Sequence, residues 1–350
     1  MSTGTNVTVL SGGSSHERDV ALAGAAQVVA ALRTSGYQNV RLFDTAVGVL
    51  GPEGEAALLR GGVGREPPTP ELLASLAEQE RAQRFHEHEA IVRADVVFLV
   101  LHGPDGEGGS VQTLLDHAGI PYTGSGPLGS MLAMDKDIAK RLMRDAAIPT
   151  PDWTMWPADS ADVEQFGLPV IVKPSKAGST VGLTLVKRAD DIPAAVDRAL
   201  AIDNEVLLER FMPGRELTVG VLDGEALAVG EILPSHELFD YECKYTPGLT
   251  REIFPADISP ALATELQALA AATHRALKLR DVSRVDFRLD HAGRPQCLEA
   301  NTIPGLTSTS LLPQSAAAAG VPFAALCARL VELALRRRRF RNKVSTSGEL

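Results

Sequence analysis

Apolar residues recur along the chain at two periods, and the switching between them outlines the architecture. Asn6–Leu10 is a short β-branched run, Ser11–Ser15 a Gly-rich turn, and Val20–Leu32 repeats apolar residues at helical spacing, so the opening predicts strand, turn, helix. Leu50–Pro70, rich in Gly, Pro and charge, reads as a surface excursion, followed by a polar helix near Glu71–Arg93. Asp95–Leu101 is a continuous apolar run ending at His102-Gly103, the pattern of a buried parallel strand. A helix at Ser110–Ala118, a short strand at Ile120–Thr123 and another Gly-rich turn complete an alternation that predicts an open parallel α/β sheet over residues 1–130.

The texture changes from Met134. A helix over Asp135–Ala146 leads through Pro149-Thr-Pro151 into three strand-like runs, Pro169–Lys173, Thr184–Lys187 and Glu205–Glu209, which predict a small second domain over 131–215. From Glu216 the strands lengthen to Leu217–Leu222 and Ala226–Ile232. A long loop over Pro234–Glu252 and a helix over Pro260–Leu277 then precede a hairpin, giving a third domain over 216–335. The last helix, Phe323–Leu335, ends in Arg336–Arg339, so 336–350 reads as a basic, flexible tail. The fold class is multidomain α/β and α+β, with no internal repeat.

Composition narrows the partners. The 350 residues, at about 150 per domain, make roughly two to three domains. A formal net charge of −10 argues against a nucleic-acid coat and for small-molecule partners, with metal ions offsetting local negative charge. Cys243, Cys297 and Cys327 lie far apart with no CxxC, which excludes a disulfide scaffold and a sulfur-based zinc site and fits a reducing cytoplasm. Neither a signal peptide nor a membrane span is legible, so no membrane partner is expected.

Several runs could carry chemistry. Gly124-Ser-Gly126-Pro-Leu-Gly129 is a literal GxGxxG between a short strand and a helix. It closes the first sheet region rather than opening it, and no strand-end acid follows about 20 residues later, so a dinucleotide site is disfavoured. The strongest signal is the hairpin Val282–Ala300. Val285, Phe287 and Leu289 share one face of the first strand, and Arg284, Asp286 and Arg288 the other. With Asp290 facing Pro295 across His291-Ala-Gly-Arg294, Asp286 falls opposite Glu299 and Arg284 opposite Asn301. Two carboxylates across a ladder repel, and a hard cation such as Mg²⁺ resolves the conflict with Asp, Glu and Asn oxygens. A solvated face with Arg284 neutralising one acid is the plainer alternative.

Val170–Val172 delivers Lys173, and the loop Ser175–Gly182 is rich in small residues and hydroxyls. Its backbone N–H groups suit a polyphosphate, though a plain hairpin turn has the same texture. Glu209 and Glu216 stand where strand-end acids could accept from an adenine amine or ribose hydroxyls, against the commoner reading as surface acids. His102 reads first as a packed or capping histidine. The Arg336–Arg341 run reads as a solvated helix end complementing the dipole rather than a nucleic-acid tail.

Taken together, the chain resembles the D-alanine–D-alanine ligases of the ATP-grasp superfamily over nearly its whole length. The resemblance is carried by Gly12-Gly-Ser-Ser-His-Glu17, Leu101-His-Gly-Pro-Asp-Gly-Glu107, Tyr122-Thr-Gly-Ser-Gly126, Met134-Asp-Lys136 and Val172-Lys-Pro-Ser-Lys-Ala-Gly-Ser179. Asp240-Tyr-Glu-Cys-Lys-Tyr245, Arg284-Val-Asp286 and Leu298-Glu-Ala-Asn-Thr-Ile-Pro-Gly305 complete it. The order and spacing of these blocks are specific, and they absorb Gly124–Gly129 into the family's pattern.

The resemblance implies a two-part ATP-grasp fold after the first sheet domain, and ATP-dependent ligation of two D-alanines through an acyl phosphate, for peptidoglycan precursor synthesis. It implies that Lys136, Lys173 and Lys244 hold ATP phosphates, that Glu209 and Glu216 contact adenosine, and that Asp286, Glu299 and Asn301 bind Mg²⁺ or Mn²⁺. Arg284 and the Gly305 N–H would stabilise the oxyanion. Glu17 would bind the first substrate's ammonium, in a network with Ser179 and Tyr245. His102 would lie near the first substrate, Ser310 and Leu311 by the second, and Pro234–Glu252 would act as a lid. A cytoplasmic homodimer is the family expectation. Ala21 and Gly108 depart from the family's usual serine and aspartate on the substrate side, which leaves room for another amino-acid acceptor, such as D-serine, or a natural-product dipeptide. Tyr245 after Lys244 favours an amino acid over a hydroxy acid. A homologue that binds ATP without chemistry is disfavoured by the intact Arg284, Asp286, Glu299 and Asn301.

Overall fold

The computed structural model describes residues 4–347 apart from 62–67, 159–162, 164–165, 240–242, 244–245 and 247. The described strands form three sheets. The first holds β1 (Asn6–Ser11), β2 (Asn39–Asp44), β3 (Gly48–Leu50) and β4 (Val96–Leu99) in the order β3-β2-β1-β4. β1 runs parallel to β2 and β4, and β4 is buried along its length, as its unbroken apolar run requires. The expected all-parallel sheet is mixed at one edge: β3 is antiparallel to β2, because the Thr45–Val47 connection is far too short for a crossover. Ile120–Thr123 adds only a single bridge, Val97 to Tyr122.

Two other expectations change here. Leu50–Pro70 contains a helix, Pro52–Gly61, whose Glu55 is buried against Arg33 at 2.6 Å. The single helix expected over Glu71–Arg93 is three pieces. Thr69 caps Pro70–Gln83, Arg84 ends it in the left-handed region (φ 44), and a 3-10 turn (Phe85–Glu87) and a short helix (Glu89–Val92) follow.

The second sheet is β5 (Trp153–Met155), β6 (Val170–Pro174), β7 (Thr184–Val186) and β8 (Val206–Arg210), ordered β5-β8-β6-β7 and antiparallel throughout. Strand periodicity splits its faces. Val170, Val172, Val206 and Leu208 pack with Ala195, Val196 and Ala199 of helix Ile192–Leu200, while Ile171, Lys173 and Glu209 turn to the opposite side.

The third sheet is β9 (Glu216–Leu222), β10 (Glu225–Pro234), β11 (Thr250–Ile253), β12 (Val282–Leu289) and β13 (Pro295–Asn301), ordered β11-β10-β9-β12-β13. Helix Pro260–Ala276 buries Leu266 and Ala270 against Val219, Val285 and Phe287. The hairpin register pairs Arg284 with Asn301 and Asp286 with Glu299, but Leu289, not Asp290, faces Pro295. The connection is one residue longer than expected because Asp290 Oδ1 accepts from the N–H groups of Ala292 and Arg294. A bulge between Asp286 and Phe287 takes up the difference and restores the register at the acids.

The final helix runs Phe323–Ser347, well past Leu335. Its Leu326, Leu330 and Val331 enter one core with Val7, Val28, Leu32 and Phe98 of the first sheet region. Arg336, Arg337 and Arg338 are not a free, solvated end. Arg336 bonds Asp223 at 3.1 Å, Arg337 bonds Asp281 and the Tyr122 carbonyl (2.6 Å), and Arg338 bonds Asp95 at 3.0 Å. The helix thus clasps the first sheet region to the third.

Candidate active site

The charged face of β12–β13 forms one wall of the site. Arg284 grips Asp286 two residues along the strand with two bonds, Nε to Oδ1 at 2.9 Å and Nη2 to Oδ2 at 2.7 Å. Asp286 also accepts from Thr218 Oγ1 (2.7 Å) and Asn301 Nδ2 (3.0 Å). Its neighbour across the ladder, Glu299, is a third exposed and lies 3.3 Å from Lys136 Nζ. Although burial opposes it, the acids around Arg284, Asp286 foremost, raise its pKa further, so it stays a fixed cation. Both acids are thus met by protein cations on the side facing the cavity. The donor set, two carboxylates and an amide oxygen, suits a hard divalent cation. Among the described residues no three His, Cys, Asp or Glu side chains converge on a metal position, so Asn301 is needed to complete the set.

Two lysines approach from the small domain side. Lys136, at the start of helix Lys136–Asp145, bonds the Ala177 carbonyl at 2.7 Å as well as nearing Glu299. Lys173 bonds Glu209 Oε1 at 2.7 Å. Lys173, Glu209 and Glu216 line a cavity of about 90 Å³ with Phe211, Met212 and Leu298, an apolar slot edged by these acids and by Lys173, Arg210 and Arg288. Phe239 lines both this slot and the larger cavity.

The larger cavity, about 560 Å³, brings together Glu17, His102, Ser179, Arg284, Glu299, Asn301, Gly305, Ser310 and Leu311 from all three regions of the chain. The Ser175–Gly182 loop is indeed a hairpin connection, between β6 and β7, yet it carries Ser179 Oγ onto Glu17 Oε1. Ser179 and Thr180 are both left-handed (φ 50 and 60), a conformation that costs about 1 kcal/mol or more per non-glycine residue. Lys176 turns away to Glu205 at 2.8 Å. On the opposite side, a Cβ on Gly305 would lie 2.9 Å from Ser310 Oγ, so the backbone there is open only because residue 305 is glycine. Ser310 precedes helix Leu311–Ala318 without capping it by its side chain, and Pro313 in its first turn carries no N–H.

The cavity is rich in carboxyl groups. Glu17, Glu107, Glu252 and Glu299 line it with one guanidinium, Arg284, among the described residues. Glu107 is half-buried in the cavity wall, accepting from Ile303 N–H (3.2 Å) and Gly103 N–H (3.3 Å), and desolvation with the nearby Glu17 charge pushes its pKa up to about 8. His102 is buried and held below its ordinary pKa by desolvation, against the pull of Glu17. Burial also raises Glu252. A cavity of this polarity attracts ammonium groups and metal-bound substrates.

Lys244 and Tyr245 lie outside the described residues, as does part of the Pro234–Glu252 loop. Two groups had no role assigned from sequence. Glu107 sits inside a quoted motif, and nothing in the linear sequence shows its burial. Lys140 was legible in principle: it follows Lys136 by four residues, and Lys136, Ala139, Lys140 and Met143 form the buried stripe of their helix. Val20, Ala23 and Gln27 likewise line the cavity from one stripe of helix Arg18–Thr34.

Comparison with known proteins follows the same blocks. The family model described as D-ala D-ala ligase N-terminus matches residues 6–125, and that described as D-ala D-ala ligase C-terminus matches 142–332. A D-alanine–D-alanine ligase of Synechococcus sp. (strain JA-3-3Ab) is 37% identical over 340 residues, covering 95% of this chain and 94% of its own. A solved D-alanine–D-alanine ligase from Bacillus anthracis, complexed with ATP, superposes with a TM-score of 0.74 at 28% identity, covering 97% of this chain and 100% of its own. VanG D-Ala:D-Ser ligase from Enterococcus faecalis matches with a TM-score of 0.75 at 28% identity, over 94% of this chain and 99% of its own.

Proposed function

The chain belongs to the D-alanine–D-alanine ligase family, and from that premise we infer that it joins two D-alanines with cleavage of ATP to ADP, for peptidoglycan precursor synthesis. The observation that carries the reading is the convergence of Glu17–Ser179, the Arg284–Asp286 hairpin and Gly305 on one cavity. The carboxylate of the first D-alanine attacks the γ-phosphorus of ATP, forming an acyl phosphate and releasing ADP. The amine of the second attacks the acyl carbon, the tetrahedral intermediate collapses, and phosphate and a proton leave.

Glu17, oriented by Ser179, holds the first ammonium near His102; Tyr245 extends that network. Arg284 and the Gly305 N–H donate to the developing oxyanion, fixed donors placed where charge appears. Ser310 and Leu311 seat the second substrate. Lys136, Lys173 and Lys244 hold phosphates, and Glu209 and Glu216 face adenosine across the 90 Å³ slot. Asp286, Glu299 and Asn301 would hold Mg²⁺ or Mn²⁺, which would neutralise phosphate charge. The 234–252 segment closes over the site, keeping water from the acyl phosphate. We place these roles on three units, 1–130, 131–215 and 216–335, in a cytoplasmic homodimer.

ADP release measured over an amino-acid panel tests the reading. D-Alanine alone should stimulate release and yield D-alanyl-D-alanine by mass spectrometry. Absence of stimulation overturns it, and a mixed product with D-serine would move the acceptor assignment.

A further inference from the structure

We propose that Lys140 is a positioning residue that keeps Glu209 neutralised when nucleotide phosphate draws Lys173 away, so that Lys173 is free to serve the nucleotide. The inference rests on the reading of Lys173 as a phosphate ligand. Its basis is an asymmetric buried triad: Glu209 Oε1 meets Lys173 Nζ at 2.7 Å and Glu209 Oε2 meets Lys140 Nζ at 2.7 Å. Side-chain exposures are 0% for Lys140, 4% for Glu209 and 9% for Lys173.

The two cations are not equivalent. Lys140 also donates to Thr150 Oγ1 (2.6 Å) and the Pro151 carbonyl (3.1 Å), so two hydrogen bonds hold its ammonium besides the ion pair, and Thr150 is in turn anchored on the Cys297 carbonyl (2.8 Å). Its ammonium lies 5.2 Å from the Trp153 ring centre, on the interior side, and it does not line the nucleotide slot. Lys173 lines that slot, and Glu209 is its one hydrogen-bond partner among the described residues. One lysine is therefore fixed and the other is held only by the acid.

A carboxylate this deeply buried does not stay ionised unpaired, because desolvation is too costly. With Lys173 as its sole partner, Glu209 would hold that ammonium and compete with phosphate for it. Two cations around one anion leave one net positive charge, available to the phosphates. Burial favours the neutral forms of both groups and, with Lys173 nearby, holds Lys140 below the ordinary lysine range; Glu209 opposes that shift, and the two lysines together hold Glu209 below the ordinary carboxylate range.

Two measurements on the full-length chain test this. In a crystal structure with MgADP, Lys173 Nζ should leave Glu209 for a phosphate oxygen while Lys140 keeps its contact; Lys173 remaining on Glu209 overturns the proposal. By calorimetry, the ratio of MgADP to adenosine affinity should fall about tenfold in Lys140→Gln. It should return to the wild-type value in Lys140→Gln/Glu209→Gln, which restores the net charge, and be held in Lys140→Arg. Equal loss of both ligands, or no recovery in the double variant, marks a merely structural lysine and overturns the proposal. Should Lys140→Gln not fold, the crystal complex and the double variant decide. Lys173→Met separates the premise: an unchanged ratio there refutes the phosphate role of Lys173 itself, whatever Lys140 does.

Discussion

Arg18 and Asp44 form one buried ion pair, and Arg284 and Asp286 form another; their side chains are 9% and 3% exposed in the first, 16% and 11% in the second. The partners beyond the pair differ. Arg18 also bonds the Gly13 carbonyl and Asp44 the Ala46 N–H, each at 2.9 Å, so the first pair staples the turns after β1 and β2. A Cβ on Gly12 would come within 2.6 Å of Asp44 Oδ1, which leaves no room for a ligand. The second pair stands in the field of Glu299, beside a 560 Å³ cavity. Burial of an ion pair thus says little about function. What marks a site is unbalanced charge around the pair together with space for a ligand to balance it.

The sharpest way to break this contrast is at the unbalanced acid. Glu299→Ala should lower D-alanine-dependent ADP release on the order of a thousandfold with the fold retained, since Glu299 is a third exposed. An unchanged rate removes it from the metal set. Arg284→Met should lower kcat by about a hundred- to a thousandfold, as loss of an oxyanion donor does. If only thermal stability falls, Arg284 belongs with Arg18 after all. Arg18→Met is the mirror experiment: about 3 kcal/mol of stability lost in chemical denaturation, with kcat per folded molecule within about threefold of wild type.

A subtler effect comes from Glu107. Its pKa rises from 4.5 to about 8 on folding, so between those values the native state keeps a proton that the unfolded chain releases. Stability therefore falls as pH rises through that window, by up to about 1.4 kcal/mol per unit. Glu107→Gln should raise Tm at pH 8 more than at pH 5, and parallel curves for the two proteins would contradict the burial argument. Arg338→Ala should matter least. Its bond to Asp95 joins side chains 43% and 36% exposed, worth about 0.5 kcal/mol, and a much larger loss would mean that the arginine clasp acts as a network.

Sequence periodicity carried the β12–β13 wall well because strand alternation is rigid: once Arg284 and Asp286 share a face, their cross-strand partners are nearly determined. The pairing at the acids came out as expected although the turn did not, since an unforeseen bulge cancelled a one-residue error at Asp290. Such compensation has no linear signature. Arg84 is another example, a left-handed arginine that ends a helix without Gly or Pro to announce it. Beyond its spacing from Lys136, nothing in the sequence sets Lys140 apart, because a lysine in a helix normally marks the solvent face, and only tertiary burial reverses that expectation. The end of the last helix was misplaced for a related reason: the arginines that looked like solvated punctuation find their acids on other regions of the chain.

That last helix has a bearing on how the protein comes into being. The core around Val7, Val28, Leu32 and Phe98 is completed by Leu326, Leu330 and Val331, which the ribosome delivers only after both other sheets. The first sheet therefore cannot seal its apolar face until that helix has been made, which works against the usual order in which an early domain folds alone. A nascent chain arrested before Phe323 would present that open face to solvent. Chaperone dependence during translation, and aggregation of carboxy-terminally truncated forms, would then follow from where a single helix happens to dock.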